Sequence, residues 1–309
     1  MHSASWHSGR DHVHEGEPLR DSDGFEDFFY AAPDGIRLHA RVYGTPGSRA
    51  LPVVCLPGLT RNARDFHALA LLLAPERTVV AFDYRGRGQS AYDPDWTHYQ
   101  LPVEAADVQA GLLALGIESA VFIGTSRGGL IIHLIALSRP SVLKAVVLND
   151  VGPVLDSEGL AHIKTYLERA PRPRDLADAV AIQRSIHGNA FSALGTADWE
   201  RMAAALYRVD SGGALVPDFD PKLVYTLKDI DLDQPIPDLW APFEALRGIP
   251  LLAIRGANSK LLSAATLAEM ARRHPDCTTL TVEGQGHAPL LETGTLPETI
   301  AAFVARVDG

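Results

Sequence analysis

The 309-residue chain is poor in cysteine, in long apolar runs and in positive charge. Its two cysteines, Cys55 and Cys277, are too few for a disulfide framework, so a reducing, cytoplasmic setting is expected. Cys55 sits inside an apolar run and reads as a small buried hydrophobe. No apolar run approaches the ~18 residues of a membrane span. Residues 1–23 lack the hydrophobic stretch of a secretory leader. They carry His2, His7, His12 and His14 without any cysteine or paired-carboxylate pattern. A solvated tail over residues 1–24 is therefore expected, with no metal. The 28 basic against 38 acidic residues leave a formal net charge of -10. An acidic surface disfavours nucleic acid and anionic membrane as partners. A small-molecule substrate remains, and a homo-oligomer stays open. Hydrophobic residues at 46% and charged ones at 21% fit a globular chain long enough to bury a continuous core.

Along the chain, short apolar runs alternate with helical patterns. Asp27–Ala31 and Ile36–Tyr43 read as strands around the turn Pro33-Asp34-Gly35, with Ile36, Leu38, Ala40 and Val42 sharing one face. Further strands are expected at Leu51–Leu56, Thr78–Phe82, Ala120–Ile123, Val142–Leu148, Leu251–Ile254 and Thr278–Val282. Several are continuous apolar runs, as strands covered on both faces should be. Helices are expected at Arg64–Leu73, Val103–Leu115, Gly129–Leu137, Ala264–Arg273 and Pro297–Val307. In the second, Ala106, Val108, Leu112 and Leu115 form the buried stripe. This alternation predicts an α/β fold with a mostly parallel sheet and helices on both faces. The rhythm breaks over 153–245, where Leu160–Arg169, Leu176–His187 and Ala197–Val209 read as helices and no buried strand is expected.

Gly124-Thr125-Ser126-Arg127-Gly128 is a G-x-S-x-G between an apolar strand and a helix. That context exposes the serine on a strained turn at a helix N-terminus, as a nucleophile requires. The alternative is a serine that caps an ordinary helix. A serine hydroxyl needs a base to take its proton, and His287 stands in a Gly-rich loop after the last strand. Leu56-Pro57-Gly58-Leu59-Thr60 follows the first buried strand. The amides of Leu59 and Arg127 are the candidate oxyanion donors, unless that segment is a plain strand-to-helix turn. Arg61, just beyond it, is placed where it could bind a substrate carboxylate, but it reads as a solvated or salt-bridged arginine rather than a site residue.

With these segments, and with Asp83-Tyr84-Arg85-Gly86-Arg87-Gly88-Gln89-Ser90, the chain resembles the α/β-hydrolase superfamily over roughly residues 25–307. The resemblance implies an eight-stranded sheet with an inserted helical cap. The core would comprise 25–152 and 246–309, and the cap 153–245. It also implies Ser126 as nucleophile, His287 as base and no cofactor. One departure stands out: Lys260 occupies the position where similar members place the triad acid. Asp150, just past an earlier strand, is the proposed replacement. Its alternative role is to cap the turn Val151-Gly152-Pro153. Asn258 is the weaker candidate. The expected activity is hydrolysis of a small-molecule ester, thioester or lactone through an acyl-enzyme. A C–C bond hydrolase and a ligand-binding pseudoenzyme with an impaired triad are the rivals. Tyr166, Phe191, Trp199, Tyr207, Trp240 and Phe243 are expected to pack the cap.

Overall fold

A computed structural model describes residues 24–44, 47–168, 172–228, 234 and 236–308. The histidine-bearing tail lies outside them. The hairpin β1 (Phe25–Ala31) and β2 (Arg37–Tyr43) leads into β3 (Val53–Leu56), α1 (His67–Leu73), β4 (Val79–Asp83), α2 (Leu101–Ala114), β5 (Ala120–Thr125), α3 (Arg127–Ser138) and β6 (Leu143–Asn149). Next come α4 (Ser157–Glu168), α5 (Leu176–His187), α6 (Thr196–Leu206), a small hairpin of β7 (Tyr207–Val209) and β8 (Leu215–Pro217), and α7 (Trp240–Glu244). The chain closes with β9 (Leu251–Gly256), α8 (Ala264–Arg273), β10 (Cys277–Val282) and α9 (Leu296–Ala305).

The eight strands of the main sheet run in the order β1-β2-β4-β3-β5-β6-β9-β10. From β4 through β10 the pairings are parallel, and β2 is antiparallel to both its neighbours. Alternation along β3 sorts the core. Val54 and Leu56 face the layer of α2 and α3, while Val53 and Cys55 face α1 and α9. After β3 the chain turns to one side for β4, then returns to the other for β5. That reversal opens a crevice at the C-terminal ends of β3 and β5, where open α/β sheets bind ligands. Leu56 pairs with Gly124, which brings the Leu59 turn beside Ser126.

Three expectations need correction. Residues 207–217 form the β7–β8 hairpin where a helix through Val209 and no strand were expected; Asp210 to Gly213 makes the turn. The buried side of α2 includes Glu104 and Asp107, while Ala106 and Leu115 are only half-buried. Phe243 packs in the sheet core, with Trp240 against it, on the α3 side rather than among the inserted helices. Among the described residues no helix is long and apolar enough to cross a membrane.

Candidate active site

Ser126 sits between β5 and α3 at φ 51, ψ −111. This is a left-handed, strained conformation that costs about 1–3 kcal/mol and persists only where packing enforces it. The glycines explain the enforcement. A Cβ on Gly128 would lie 2.1 Å from the Leu56 carbonyl oxygen, and one on Gly124 would lie 2.6 Å from the Gly128 backbone. Only glycine lets the strand and helix approach that closely. The Ser126 side chain makes no capping bond to α3, so the helix-cap alternative does not hold.

His287, on the loop after β10, brings Nε2 to 2.9 Å from Ser126 Oγ. Its Nδ1 lies 2.7 Å from Asp150 Oδ2. A carboxylate only accepts, so Nδ1 carries the proton donated to Asp150 and Nε2 keeps a lone pair for the serine O–H. Asp150 is fully buried at the end of β6, with φ 55. Because β6 and β9 are paired neighbours, its Oδ1 accepts from Gly256 N at 2.8 Å and its Oδ2 from Ser259 Oγ at 2.5 Å. No bond ties the carboxylate to the turn Val151-Gly152-Pro153 among the described residues. Lys260 is exposed and pairs with Glu158 at 2.7 Å. Asn258 donates to the Ala190 carbonyl, away from the histidine. Ser259 was not anticipated; a hydroxyl one residue before Lys260 carries no periodic signal. Nor was Asn149, whose Nδ2 donates to Pro289 O at 2.9 Å and to Thr125 Oγ1 at 3.1 Å, while its backbone oxygen accepts from Ser126 N at 3.0 Å.

The Leu59 turn lies beside this group. The Gly58 carbonyl accepts from Arg61 N at 3.2 Å, and the planarity of that peptide turns the Leu59 N–H the opposite way. Neither the Leu59 nor the Arg127 amide has a backbone acceptor among the described residues. Both border Ser126, Leu59 in the cavity wall and Arg127 at the first position of α3.

A cavity of about 1080 Å³ opens above Ser126. Its far wall comes from α4, α5, α6 and the segment between the last two, including His162, Tyr166, His187 and Phe191. Of the six aromatics considered, only Tyr166 and Phe191 line it. Trp199 and Tyr207 are buried behind them. Burial, then the neighbouring His162 and Arg61, lower the His187 pKa to about 4, so its ring is neutral at pH 7. Arg61 is salt-bridged, as expected: Asp65 takes its Nε and Nη2 at 2.7 and 2.5 Å. Its Nη1 has no hydrogen-bond partner among the described residues, and the side chain lines the cavity.

Elsewhere, Asp34, Asp93 and His98 converge, but Arg85 already donates to both aspartates at 2.8 and 2.6 Å. A guanidinium fills the place a cation would take. His39 is buried between Asp27 and Asp83, and His133, on the buried side of α3, bonds the Gly129 carbonyl one turn back.

A family model described as alpha/beta hydrolase fold matches residues 52–293. The chain is 32% identical over 260 residues to a 3-hydroxybutyrate-oligomer hydrolase of Cupriavidus necator, spanning 82% of this chain and 88% of that protein. It is 27% identical over 232 residues to a 2-(acetamidomethylene)succinate hydrolase of Mesorhizobium japonicum, spanning 74% and 79%. The crystal structure of an alpha/beta hydrolase from Novosphingobium aromaticivorans superposes with a TM-score of 0.84 at 37% identity, covering 92% of this chain and 99% of that one.

Proposed function

Because the chain belongs to the alpha/beta hydrolase family, we propose that it is a serine hydrolase cleaving a small-molecule carboxylic ester through an acyl-enzyme. The observation that carries this reading is the unbroken relay from Ser126 Oγ to His287 at 2.9 Å and on to Asp150 at 2.7 Å. Ser126 Oγ bonds to the ester carbonyl carbon as its proton passes to His287 Nε2. The carbonyl oxygen, now an oxyanion, faces the Leu59 and Arg127 amides. Collapse breaks the bond to the alcohol oxygen, which leaves with the proton from His287. Water then repeats the sequence, giving its proton to His287, and frees the acid and Ser126. Asp150 holds the imidazole in the required tautomer and offsets its transient charge.

Residues 153–245 act as a cap that shapes the acyl and alcohol pockets. The substrate bears a carboxylate. Two observations support this: the open Nη1 of Arg61 in the cavity wall, close to Gly58 and the nucleophile, and the carboxylate-bearing substrates named for the two relatives. Short oligoesters of hydroxy acids fit that description. The test is hydrolysis of the 3-hydroxybutyrate dimer and trimer, their methyl esters, and a series of p-nitrophenyl esters, with serine-reactive phosphonate labelling in parallel. Ser126→Ala should abolish turnover and labelling while the protein stays folded. Labelling at full occupancy in Ser126→Ala would overturn the nucleophile. Equal kcat/KM for free acids and methyl esters would remove the carboxylate from the proposal.

A further inference from the structure

Behind the two candidate oxyanion donors lies a buried chain of charges that the reaction above does not use. Arg87 donates Nε to the Leu59 carbonyl at 2.8 Å. Its Nη1 donates to the Arg85 carbonyl and to Glu104 Oε1, each at 2.7 Å. The other Glu104 oxygen accepts from Arg127 Nε at 2.5 Å, and Arg127 Nη2 donates to the Tyr99 carbonyl at 3.0 Å. Glu104 and Arg87 are fully buried, and the Arg127 side chain is 12% exposed. One carboxylate therefore joins the residue that presents one oxyanion amide to the arginine gripping the other. The donor peptide between Gly58 and Leu59 is held on three sides: Tyr84 Oη donates to Pro57 O at 3.2 Å, Arg61 N to Gly58 O, and Arg87 to Leu59 O.

Stability alone does not account for this arrangement. A buried ion network rarely outperforms apolar packing of the same volume. Here Arg87 Nη2 is buried with no hydrogen-bond partner among the described residues, and a buried donor left unsatisfied costs its full desolvation. Burial drives the Arg87 pKa down, against the pull of Glu104. Burial would likewise raise Glu104, but Arg127 and Arg87 hold its carboxyl below the usual range. What such a network supplies is geometry, because a fork of charged hydrogen bonds fixes distance and angle where apolar contacts do not.

We propose that Glu104 is a positioning residue, which through Arg87 and Arg127 locks the Leu59 turn and the Ser126 elbow at the separation that lets both amides meet one oxyanion. This rests on the serine hydrolase reading. The two can fail separately. Glu104→Gln keeps the shape and removes the charge that organises both arginines. Its kcat should fall about 10- to 100-fold, less than for outright loss of a donor, with KM changed by less than about threefold. The diagnostic readout is a trifluoromethyl ketone, whose adduct with Ser126 places an oxyanion against the two amides. Across wild type, Glu104→Gln, Arg87→Gln and Arg127→Gln, its Ki should rise in proportion to the loss in kcat/KM. Binding of a product carboxylic acid should not follow that line. Arg127→Gln alters the more exposed end of the network and carries the test if Glu104→Gln does not fold. If wild type hydrolyses esters and the variants match it in kcat and Ki, the positioning role fails and the hydrolase reading stands. If wild type neither hydrolyses esters nor binds the ketone, both fail.

Discussion

Around Ser126 the backbones of β3, β5 and α3 close up until no side chain fits at Gly124 or Gly128. Residues 205–220 meet the core differently, through polar side chains. Asn62 and Arg64 donate to the Ala205 carbonyl at 2.8 and 2.9 Å, Arg64 pairs with Asp218 at 2.7 Å, and Tyr99 Oη donates to Asp220 at 2.6 Å. Main-chain bonds between Gly88 and Asp218, and between Asp220 and Gly86, complete the seam. The elbow has one geometry, set by steric exclusion. The inserted segment is stitched on by bonds that can be cut singly. Lesions near the elbow should therefore act on the rate of chemistry, and lesions in the insertion on which substrate is accepted.

That contrast can be broken or sharpened in order of effect. Asp150→Asn leaves the shape but lets the wrong histidine tautomer form, so kcat should fall about 10⁴-fold; stopped-flow acylation with a p-nitrophenyl ester measures it. A loss under tenfold would mean that His287 is oriented by other means. Ser259→Ala removes one of the bonds to that carboxylate, and kcat should drop about tenfold, the worth of one hydrogen bond to a charged group. On the other side, Tyr166→Ala and Phe191→Ala open the cavity wall. They should shift the chain-length optimum by one or more units, roughly the value of a few buried methylenes, and leave kcat on an acetate ester within about threefold. An unchanged optimum would make that wall a mere support.

Acid titration touches both regions. His133 is fully buried, which lowers its pKa to about 4; His187 has the same value. Both lie below the unfolded value near 6.5, so the unfolded chain binds more protons between pH 6.5 and 4. Stability should rise with pH across that window and be lost as pH falls through it. His133→Leu should recover about 2 kcal/mol of the decline between pH 7 and pH 5, read from urea midpoints. An identical decline in the variant would rule His133 out as a contributor. The smallest change is expected from Lys260→Ala. Its exposed pair with Glu158 is worth under about 1 kcal/mol, and kcat should be indistinguishable from wild type.

The strands of the main sheet and most helices were legible because apolar runs and turn residues are local signals. Leu176–His187 and Ala264–Arg273 were placed to the residue. The β7–β8 hairpin escaped because each strand has only three residues, too short for an alternation to show, although Asp210-Ser211-Gly212-Gly213 carries turn chemistry. On α2, Glu104 and Asp107 were invisible as buried positions. Periodicity counts apolar residues, and these acids are buried only because Arg85 and Arg87, about 20 residues earlier in the chain, meet them there. Ser126, His287 and Asp150 were named from the family resemblance and from Asp150's place just past a strand, and they meet in the structure. Ser259 and Arg61 were not assigned to the site, since their relation to it depends on loop geometry that no spacing encodes.

Asn149 ties together loops that leave three strands, β5, β6 and β10. Their separation along the chain matters as much as their proximity in space. Ser126 and Asp150 emerge within one stretch of synthesis, but His287 lies 161 and 137 positions away from them. Contacts of such long range carry the largest loop-closure cost and tend to form late. A nascent chain halted before β10 would hold Ser126 and Asp150 without His287 between them. On the proposed reading, ester hydrolysis would be a clock for the end of folding: in refolding experiments it should appear after the far-ultraviolet signal of the helices, at the moment β10 docks on β9.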